Sequence, residues 1–436
     1  MTTRSEPNPA TLQTGRQTPA GRFSVFADAA YRRLWGIGAI NSIMRWIETV
    51  AVSVYVYDLT GSAWSLALVS FFRALPMLVF GIVLGAIADR VNRRAMLIFF
   101  MALIAVTYAV LGALVVTDRI QLWHIYVGTF IVGMSWATDF PVRRNMVTDV
   151  VGRQRIAAAI GIDQATMNIA RIVGPTISGA FVQWIGVQAA YFTGAVMYGG
   201  AVLIAASLSY RQAPRATEIV SPLKNIAEGM RYVRASDLIV PVLIITVIVN
   251  VFAFPYTFVV PAIAKENLHI GPVMLGVLTS VEGIGATLGS VLIATRSLPS
   301  HYTRIYIFGA CIFAAMVLAF SLADWLALAM PLVFLAGLGM SGFGSMQSII
   351  TLNATPPEMR GRVLGVLTVC IGSGPIGALQ IGWLAEQFGA QTGVAILGAT
   401  ALVLMLLTML LYPRFLRARE IEPEQAKSGP NLIPNR

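Results

Sequence analysis

The sequence is dominated by apolar runs that are long enough to cross a lipid bilayer as α-helices. Clear examples are residues 95–117, 188–208, 238–264 and 394–411. A spanning helix needs about 20 apolar residues, and an α-helix satisfies its own backbone hydrogen bonds, as the interior of a bilayer requires. The runs therefore predict an all-α integral membrane protein.

The composition supports the same prediction. Of the 436 residues, 57% are hydrophobic and only 12% are charged. An ordinary soluble domain contains about 25% charged residues. Because lipid-facing surface needs no charge, this composition is typical of a chain that lies mostly in a membrane.

We predict twelve transmembrane helices in two sets of six. The first set lies near residues 32–56, 62–88, 95–117, 122–144, 156–184 and 187–209. The second set lies near residues 237–264, 272–295, 304–323, 326–350, 360–385 and 391–412. The predicted domains are a disordered tail at 1–30, a six-helix bundle at 31–209, a central loop at 210–236, a second bundle at 237–412 and a tail at 413–436.

The basic residues are distributed unevenly along this topology. The net charge is +11, and all but five of the 31 lysines and arginines fall in alternate loops or in the tails. Arg45, Arg73 and Arg171 lie inside spans, and Arg119 and Lys265 lie on the opposite side. Loops rich in Lys and Arg remain cytoplasmic. We therefore predict a bacterial inner-membrane protein with both termini in the cytoplasm and no nucleic-acid partner.

Weak internal similarity relates the two sets of helices. A shift of 203 residues places three glycines of the first half on three of the second, namely Gly174, Gly179 and Gly186 on Gly377, Gly382 and Gly389. A shift of 209 places Asn41 on Asn250 and Arg73 on Glu282. Internal duplication with a site near the midplane is a recurrent transporter architecture.

A charged loop follows the second predicted span. It contains Gly85, Asp89, Arg90 and Arg93 in the order G-x-x-x-D-R-x-N-R-R. The glycine permits two helices to approach closely, and the aspartate suits the positive N-terminus of a neighbouring helix. The alternative is that the arginines are ordinary cytoplasmic charges.

A second motif lies in the fifth predicted span, where Gly174, Pro175 and Gly179 follow one another closely. The proline removes a backbone donor and kinks the helix, while small residues let another helix pack against the bend. A generic proline kink is the alternative interpretation.

The charged loop closely resembles the G-x-x-x-D-R-x-G-R-R loop of the major facilitator superfamily, and Gly174-Pro175 resembles the Gly-Pro motif of its antiporter branch. With residues 141–144, these motifs look like those of the drug:proton antiporters that include macrolide-efflux and enterobactin-export proteins. The resemblance implies two pseudo-symmetric six-helix bundles, export, and a conformational-switch role for the charged loop. Asn92 replaces the usual glycine there, a mild departure because Asn tolerates left-handed backbone better than most residues.

Charged residues inside the spans are candidates for proton coupling or gating, because such residues usually pair or line a cavity. The candidates are Glu48, Arg45, Glu282, Arg171, Arg73 and Asp163. Arg45 and Glu48 share a helix face. Either the two charges neutralise each other and only ease insertion, or Glu48 exchanges a proton and Arg45 sets the pKa of its carboxyl group. Asp163 is either a hydrated cap or hinge group or a proton carrier.

We expect Glu282 and Arg171 to pair across the two halves when the outer side is closed, with Arg73 as an alternative partner of Glu282. A static structural pair is the other interpretation. Polar and aromatic residues of the spans are candidates for the substrate cavity, although packing roles also fit them. They are Asn41, Trp46, Phe72, Asn250, Phe254 and Tyr256.

Other classes of function lack their signatures. None of the three lysines, Lys224, Lys265 and Lys427, follows a phosphate-binding glycine loop, and no nucleophile–base or metal-ligand set is evident. We therefore predict no enzyme activity, no cofactor and no metal.

The predicted partners are a small-molecule substrate, protons and the lipid bilayer, and the chain is expected to work as a monomer. Proton-coupled export is the leading prediction; uptake of a small metabolite and a non-transporting sensor are the alternatives.

Overall fold

The computed structural model describes residues 24–152, 155–210 and 222–417, and their secondary structure is helical throughout. In the first half of the chain the helices are α1 (Ala29–Thr60), α2 (Ala63–Arg90), α3 (Arg93–Val116), α4 (Leu122–Asp139), α5 (Asn145–Val151), α6 (Ile156–Trp184) and α7 (Val187–Ala206). Short 3-10 helices lie at Ser24–Ala27 and Pro299–His301.

The second half begins with the short helix α8 (Pro222–Arg234). The helices that follow are α9 (Ile239–Ile248), α10 (Tyr256–Glu266), α11 (Pro272–Arg296), α12 (Tyr302–Phe320), α13 (Leu326–Asn353), α14 (Arg360–Ile371), α15 (Gly374–Phe388), α16 (Ala390–Leu411) and α17 (Pro413–Arg417). Among the described residues, eight helical segments are long and apolar enough to cross a membrane, and two more apolar helices are shorter. The prediction of an all-helical protein with many apolar spans is confirmed.

Local sequence explains where the first helices begin and end. The Asp28 carboxylate caps α1 by accepting from the backbone N–H groups of Ala30 and Tyr31. Gly61 ends α1 with a left-handed φ of 62°, a backbone conformation that glycine adopts without steric cost. Ser, Thr, Asp and Asn side chains cap helix N-termini because the first backbone donors have no partner inside the helix.

Three predicted spans are irregular where prolines occur. A π-helical turn at Phe140–Arg144 follows α4 and contains Pro141, and another at Val249–Ala253 separates α9 from α10 just before Pro255. The span predicted at 360–385 is broken at Gly372, so that Pro375 begins a new helix, α15. Proline removes a backbone donor and clashes with the preceding turn, which accounts for these breaks.

The alternating directions of the long helices place Ser24–Ala27, α8 and α17 at one end of the molecule. We call this end, which carries Ser24–Ala27 and α17, the tail face. The opposite end is the far face, with turns at residues 61–62, 185–186, 267–271 and 389. Helix contacts are extensive within each half, and the halves meet mainly along two seams, α6 with α11 and α2 with α15.

The structure shows short helices in three segments predicted to be tails or a loop, and the domain bounds themselves stay a prediction. Residues 24–30, which were predicted to belong to a disordered tail, form Ser24–Ala27 and the start of α1. The predicted central loop contains α8, whose Val233 packs against Val363 and Val366 of α14. The predicted C-terminal tail begins with α17, where Phe415 is 1% exposed and contacts the Tyr306 ring. In each case apolar side chains inside a polar segment find a packing partner.

Candidate functional site

A buried ion pair lies inside the first half of the chain. Glu48 of α1 is 3% exposed, and its carboxylate contacts the Arg73 guanidinium of α2 at 2.8 Å and 3.0 Å. Arg73 also donates to the Thr49 hydroxyl. The pair faces a small cavity that is lined by Arg45, Glu48, Arg73, Tyr108, Val132 and Tyr198. Arg73 was predicted as an alternative partner of Glu282; the structure pairs it with Glu48 instead.

Buried tyrosines surround this pair. The Tyr108 ring lies 5.9 Å from that of Tyr191 and 5.7 Å from that of Tyr198, and all three side chains are buried. Aromatic walls exclude water and strengthen the electrostatic interaction between the charges that they enclose. Sequence pattern gives no sign of these tyrosines, since a tyrosine in an apolar span is usually a packing residue.

A second charged cluster lies closer to the tail face. Arg143 donates to Asp139 at 2.8 Å and 3.2 Å and to Asp163 of α6 at 3.0 Å. Asn41 of α1 donates to Asp139 at 3.0 Å, so the cluster ties three segments together. Gly38 leaves room for the Arg143 guanidinium, which a side chain at that position would displace. Asp163 is therefore held in an ion pair, and its role in proton transfer stays a prediction.

Charge is balanced across the two clusters of the first half. Together they contain three arginines and three carboxylates, namely Arg45, Arg73, Arg143, Glu48, Asp139 and Asp163. Isolated ionised groups at membrane depth cost about 2.5–3.5 kcal/mol each, so balanced pairs make their burial tolerable. Pairing requires tertiary contact between α1, α2, α4 and α6, which explains why sequence spacing alone did not predict it.

A third ion pair joins the two halves. Arg171 of α6 contacts Glu282 of α11 at 2.7 Å, as the sequence analysis expected. The Arg171 guanidinium also lies over the Trp46 ring, 5.6 Å from its centroid. One helical turn nearer the far face, the hydroxyls of Thr176 and Ser280 are 2.8 Å apart and share a hydrogen bond. The Arg171 side chain remains 21% exposed, so this pair is less enclosed than the one at Glu48.

Small residues allow the close approach of α6 and α11. Any side chain at Gly179 would collide with the backbone of Pro272, and one at Gly276 would collide with the backbone of Pro175. Gly174 faces α1, where an added Cβ would lie 2.6 Å from Trp46 Cβ. Pro175 stays inside the unbroken α6. The Gly-Pro segment is thus a packing surface, and its link to export stays a prediction.

The halves also meet at the far face. Tyr57 donates to Glu266, and Lys265 pairs with Asp58, which connects α1 to α10. Between these contacts and Arg171 lies an apolar cluster from both halves, with members Val50, Val54, Ala264 and Leu275. Apolar and polar contacts together hold the halves against each other on this side, around a pocket that most of these residues line.

Part of the predicted switch loop lies outside the described residues. Gly85, Asp89 and Arg90 belong to the last turns of α2, and the structure does not describe their side chains. Asn92 has a φ of −60°, so its backbone is not left-handed, and its side chain caps α3 by accepting from the N–H groups of Arg94 and Ala95.

The last residue of the predicted loop is anchored. Arg93 is 2% exposed and pairs with Asp149 of α5 at 3.1 Å. Tyr210 donates to the same carboxylate at 2.6 Å, and burial together with this hydrogen bond raises the pKa of Tyr210. The start of α3 is therefore fixed to α5 and to the chain after α7 at the tail face.

The remaining candidates for the substrate cavity occupy packed positions. Phe72 stacks on Tyr126 with a centroid distance of 5.1 Å, and Asn250 donates to the Thr246 carbonyl on its own helix at 2.8 Å. Tyr256 is 2% exposed and contacts the rings of Phe313 and Phe320. Phe254 packs against Phe258. Asn41 and Trp46 lie in the charged clusters, and the role of all six residues in binding substrate stays a prediction.

Known proteins share this fold and sequence. A bacterial homologue of the human lysosomal transporter Spinster, solved in an inward-facing and unoccupied conformation, matches with a TM-score of 0.69 at 15% identity, over 89% of this chain and 98% of that one. The macrolide efflux protein A of Streptococcus pyogenes is 22% identical, over 82% of this chain and 90% of that protein. The enterobactin exporter EntS of Shigella flexneri is 23% identical, over 92% of this chain and 95% of that protein.

The helical fold with charged pairs inside its spans is that of a multi-pass membrane transporter. The family model described as transmembrane secretion effector matches residues 20–433, nearly the whole chain. The chain belongs to this family of major facilitator superfamily transporters, and it is a secondary transporter of the export type. The resemblance stated from the charged loop and the Gly-Pro motif is confirmed.

Proposed function

We propose that the protein is a proton-coupled exporter that works by alternating access between two six-helix bundles. The bundles correspond to residues 31–209 and 237–412, with twelve spans in total. One observation carries this proposal: the Arg171–Glu282 ion pair joins the halves at 2.7 Å between the far-face contacts and the tail face. A rocking movement that separates α6 from α11 must break it.

The far face corresponds to the outer side of the inner membrane in this proposal. Lys and Arg residues are concentrated in the loops and tails of the opposite face, which supports cytoplasmic termini. The structure, closed at the far face, then represents the inward-facing state of a monomeric transporter. The similarity to a transporter solved in an inward-facing conformation supports this assignment.

Protonation of Glu282 is the proposed coupling step. A protonated carboxyl group no longer attracts the Arg171 guanidinium as an ion, so the contact between the halves weakens and the outer side opens more easily. Glu48 is the second candidate, because it is held between two helices by Arg73 and faces the same cavity as Arg45. No catalytic step and no cofactor are assigned to the chain.

The proposed cargo is a drug-like or siderophore-like small molecule. Two relatives that match over most of this chain are named for the efflux of macrolides and the export of enterobactin. A mostly apolar interior with few charged pairs suits such molecules better than it suits small hydrophilic metabolites.

Accumulation of a fluorescently labelled macrolide tests the proposal. Cells that lack their own pumps would be compared with and without the protein, each with and without a protonophore. We expect expression to lower accumulation at least severalfold and the protonophore to remove the difference. Higher accumulation on expression would indicate uptake instead, and a protonophore-insensitive difference would contradict proton coupling.

A further inference from the structure

Two helix N-termini at the far face receive a hydrogen-bond acceptor from the other half of the chain. Glu386 of α15 reaches the start of α2, and Gln183 of α6 reaches the start of α11. We propose that Glu386 and Gln183 are a matched pair of gate residues, whose bonds form when the far face closes and are lost when it opens. This inference rests on the alternating-access mechanism proposed above.

Glu386 caps α2 together with Ser62. One carboxylate oxygen accepts from the Ser62 hydroxyl at 3.0 Å and from the Trp64 backbone N–H at 3.2 Å. The same hydroxyl oxygen accepts from the Ser65 N–H at 3.2 Å. The first N–H groups of a helix have no partner within it, and the helix dipole attracts negative charge to this end. Glu386 supplies both an acceptor and the charge.

Gln183 caps α11, whose own sequence provides no side-chain cap. The N-cap residue is Gly271, which has no side chain, and Pro272 has no backbone N–H. The first available donor is therefore the Val273 N–H, and it donates to Gln183 Oε1 at 3.2 Å. Gly271 also leaves space for this approach, because a Cβ there would lie 3.2 Å from the same oxygen.

The two caps are related by the internal duplication. The shift of 203 residues that superimposes glycines of α6 and α15 also places Gln183 on Glu386. The shift of 209 that places Asn41 on Asn250 also places Trp64 on Val273. Acceptor and donor thus correspond in both halves, so one contact occurs twice, once along each seam.

The position of the caps makes them sensitive to opening. Both bridge the seams α2–α15 and α6–α11, along which the halves must separate at the far face. After separation the helix ends would face water without a protein acceptor. Removal of an N-cap acceptor typically changes an equilibrium by about fivefold. Because the two caps lie on separate seams, their effects should multiply to about 25-fold.

Gln391 provides a matched control. It lies at the same face, and its amide joins Asn267 at 2.8 Å and the Ala323 carbonyl at 3.2 Å. All three residues belong to the second half, so these bonds do not cross a seam. A Gln391→Ala variant removes the same kind of hydrogen bond without affecting contact between the halves.

Distance measurements between spin labels on the two halves test the inference. The full-length chain in nanodiscs would carry labels at Ile185→Cys and Leu322→Cys, two exposed far-face positions, in a Cys311→Ser/Cys370→Ser background. We expect Gln183→Ala and Glu386→Ala each to raise the ratio of open to closed populations about fivefold and the double variant about 25-fold. Glu386→Gln should lie between wild type and Glu386→Ala, because it keeps the acceptor and loses the charge.

The outcomes separate this inference from the proposed function. Two populations in wild type that neither single nor double substitution moves would overturn the gate role of both residues while leaving alternating access intact. An equal shift of the open-to-closed ratio by Gln391→Ala would also overturn the gate role, because any lost hydrogen bond at the far face would then have the same effect. A single wild-type distance under all pH and substrate conditions would overturn alternating access, and the gate role with it.

Discussion

The first half of the chain contains an ion pair that resembles the one between the halves, but the two lie in different surroundings. Glu48–Arg73 joins neighbouring helices of one half at 2.8 Å, with side chains 4% and 14% exposed. Arg171–Glu282 joins the halves at 2.7 Å, and its arginine is 21% exposed. Rigid movement of one half against the other leaves the first pair intact and must break the second. Under the proposed mechanism, we therefore expect similar geometry to serve mainly stability at Glu48–Arg73 and conformational change at Arg171–Glu282.

The largest effect is expected from Glu48→Ala. This change leaves Arg73 buried without its carboxylate, beside Arg45 of the same cavity, and removing one partner of a buried pair costs about 3–5 kcal/mol of unfolding free energy. Denaturant unfolding of the purified protein would measure the loss. The Glu48→Gln/Arg73→Gln double variant should recover most of it. If Glu282→Ala were equally destabilising, the proposed contrast between the pairs would be wrong.

A somewhat smaller effect is expected where the halves touch through glycine. Gly179→Val should prevent full closure of the far face, because its side chain meets the Pro272 backbone, and overpacking typically costs about 1–3 kcal/mol. A cysteine at Thr176 should then react faster with an impermeant maleimide added from outside. Gly199→Val, at a glycine with open space around it, is the control and should leave the rate unchanged. Equal rates in both variants would contradict the packing argument.

Arg171→Lys sharpens the comparison further. Lysine keeps the charge opposite Glu282 but cannot place a guanidinium over the Trp46 ring, and a cation–π contact is worth about 0.5–1 kcal/mol at an accessible site. The closed far face should become about twofold to fivefold less populated, which the spin-label distances would detect. Unfolding free energy should change little. A loss of stability as large as that of Glu48→Ala would show that Arg171 has a static structural role.

The smallest effect is expected at Lys265. Its pair with Asp58 also joins the halves, but the two side chains are 56% and 47% exposed. Exposed ion pairs contribute about 0–1 kcal/mol, because water and salt screen them. Lys265→Gln should therefore change transport and stability only slightly. An effect as large as that of Arg171→Lys would mean that solvent exposure does not determine how much each contact between the halves contributes.

Much of the fold could be predicted from the sequence because the length of a run of apolar residues is a local property of the chain. The predicted span at 156–184 coincides with Ile156–Trp184, and the one at 272–295 ends one residue before α11 does. The helix α8 was missed because it is short and lies in a polar, charged segment, although Ile226, Met230 and Val233 recur at helical spacing. Its burial depends on α14, which sequence patterns do not place beside it.

The site was less predictable, since its chemistry depends on which helices meet. The Arg171–Glu282 pair followed from the resemblance, which implies that the fifth and eighth spans face each other. The Glu48–Arg73 contact requires α1 to meet α2, and the Arg143–Asp163 contact requires the turn at Phe140–Arg144 to meet α6. Spacing within one helix reveals neither contact. Likewise, the caps at Trp64 and Val273 depend on side chains that lie 322 and 90 residues away in the sequence.

Transport driven by an imposed pH gradient in proteoliposomes tests the central claim most directly. The rate of movement of a labelled macrolide would be compared between wild type and Glu282→Gln, with Lys265→Gln as the control. If protonation of Glu282 releases Arg171, wild type and Lys265→Gln should respond to the gradient and Glu282→Gln should not. Gradient-driven transport at the full wild-type rate by Glu282→Gln would contradict the account.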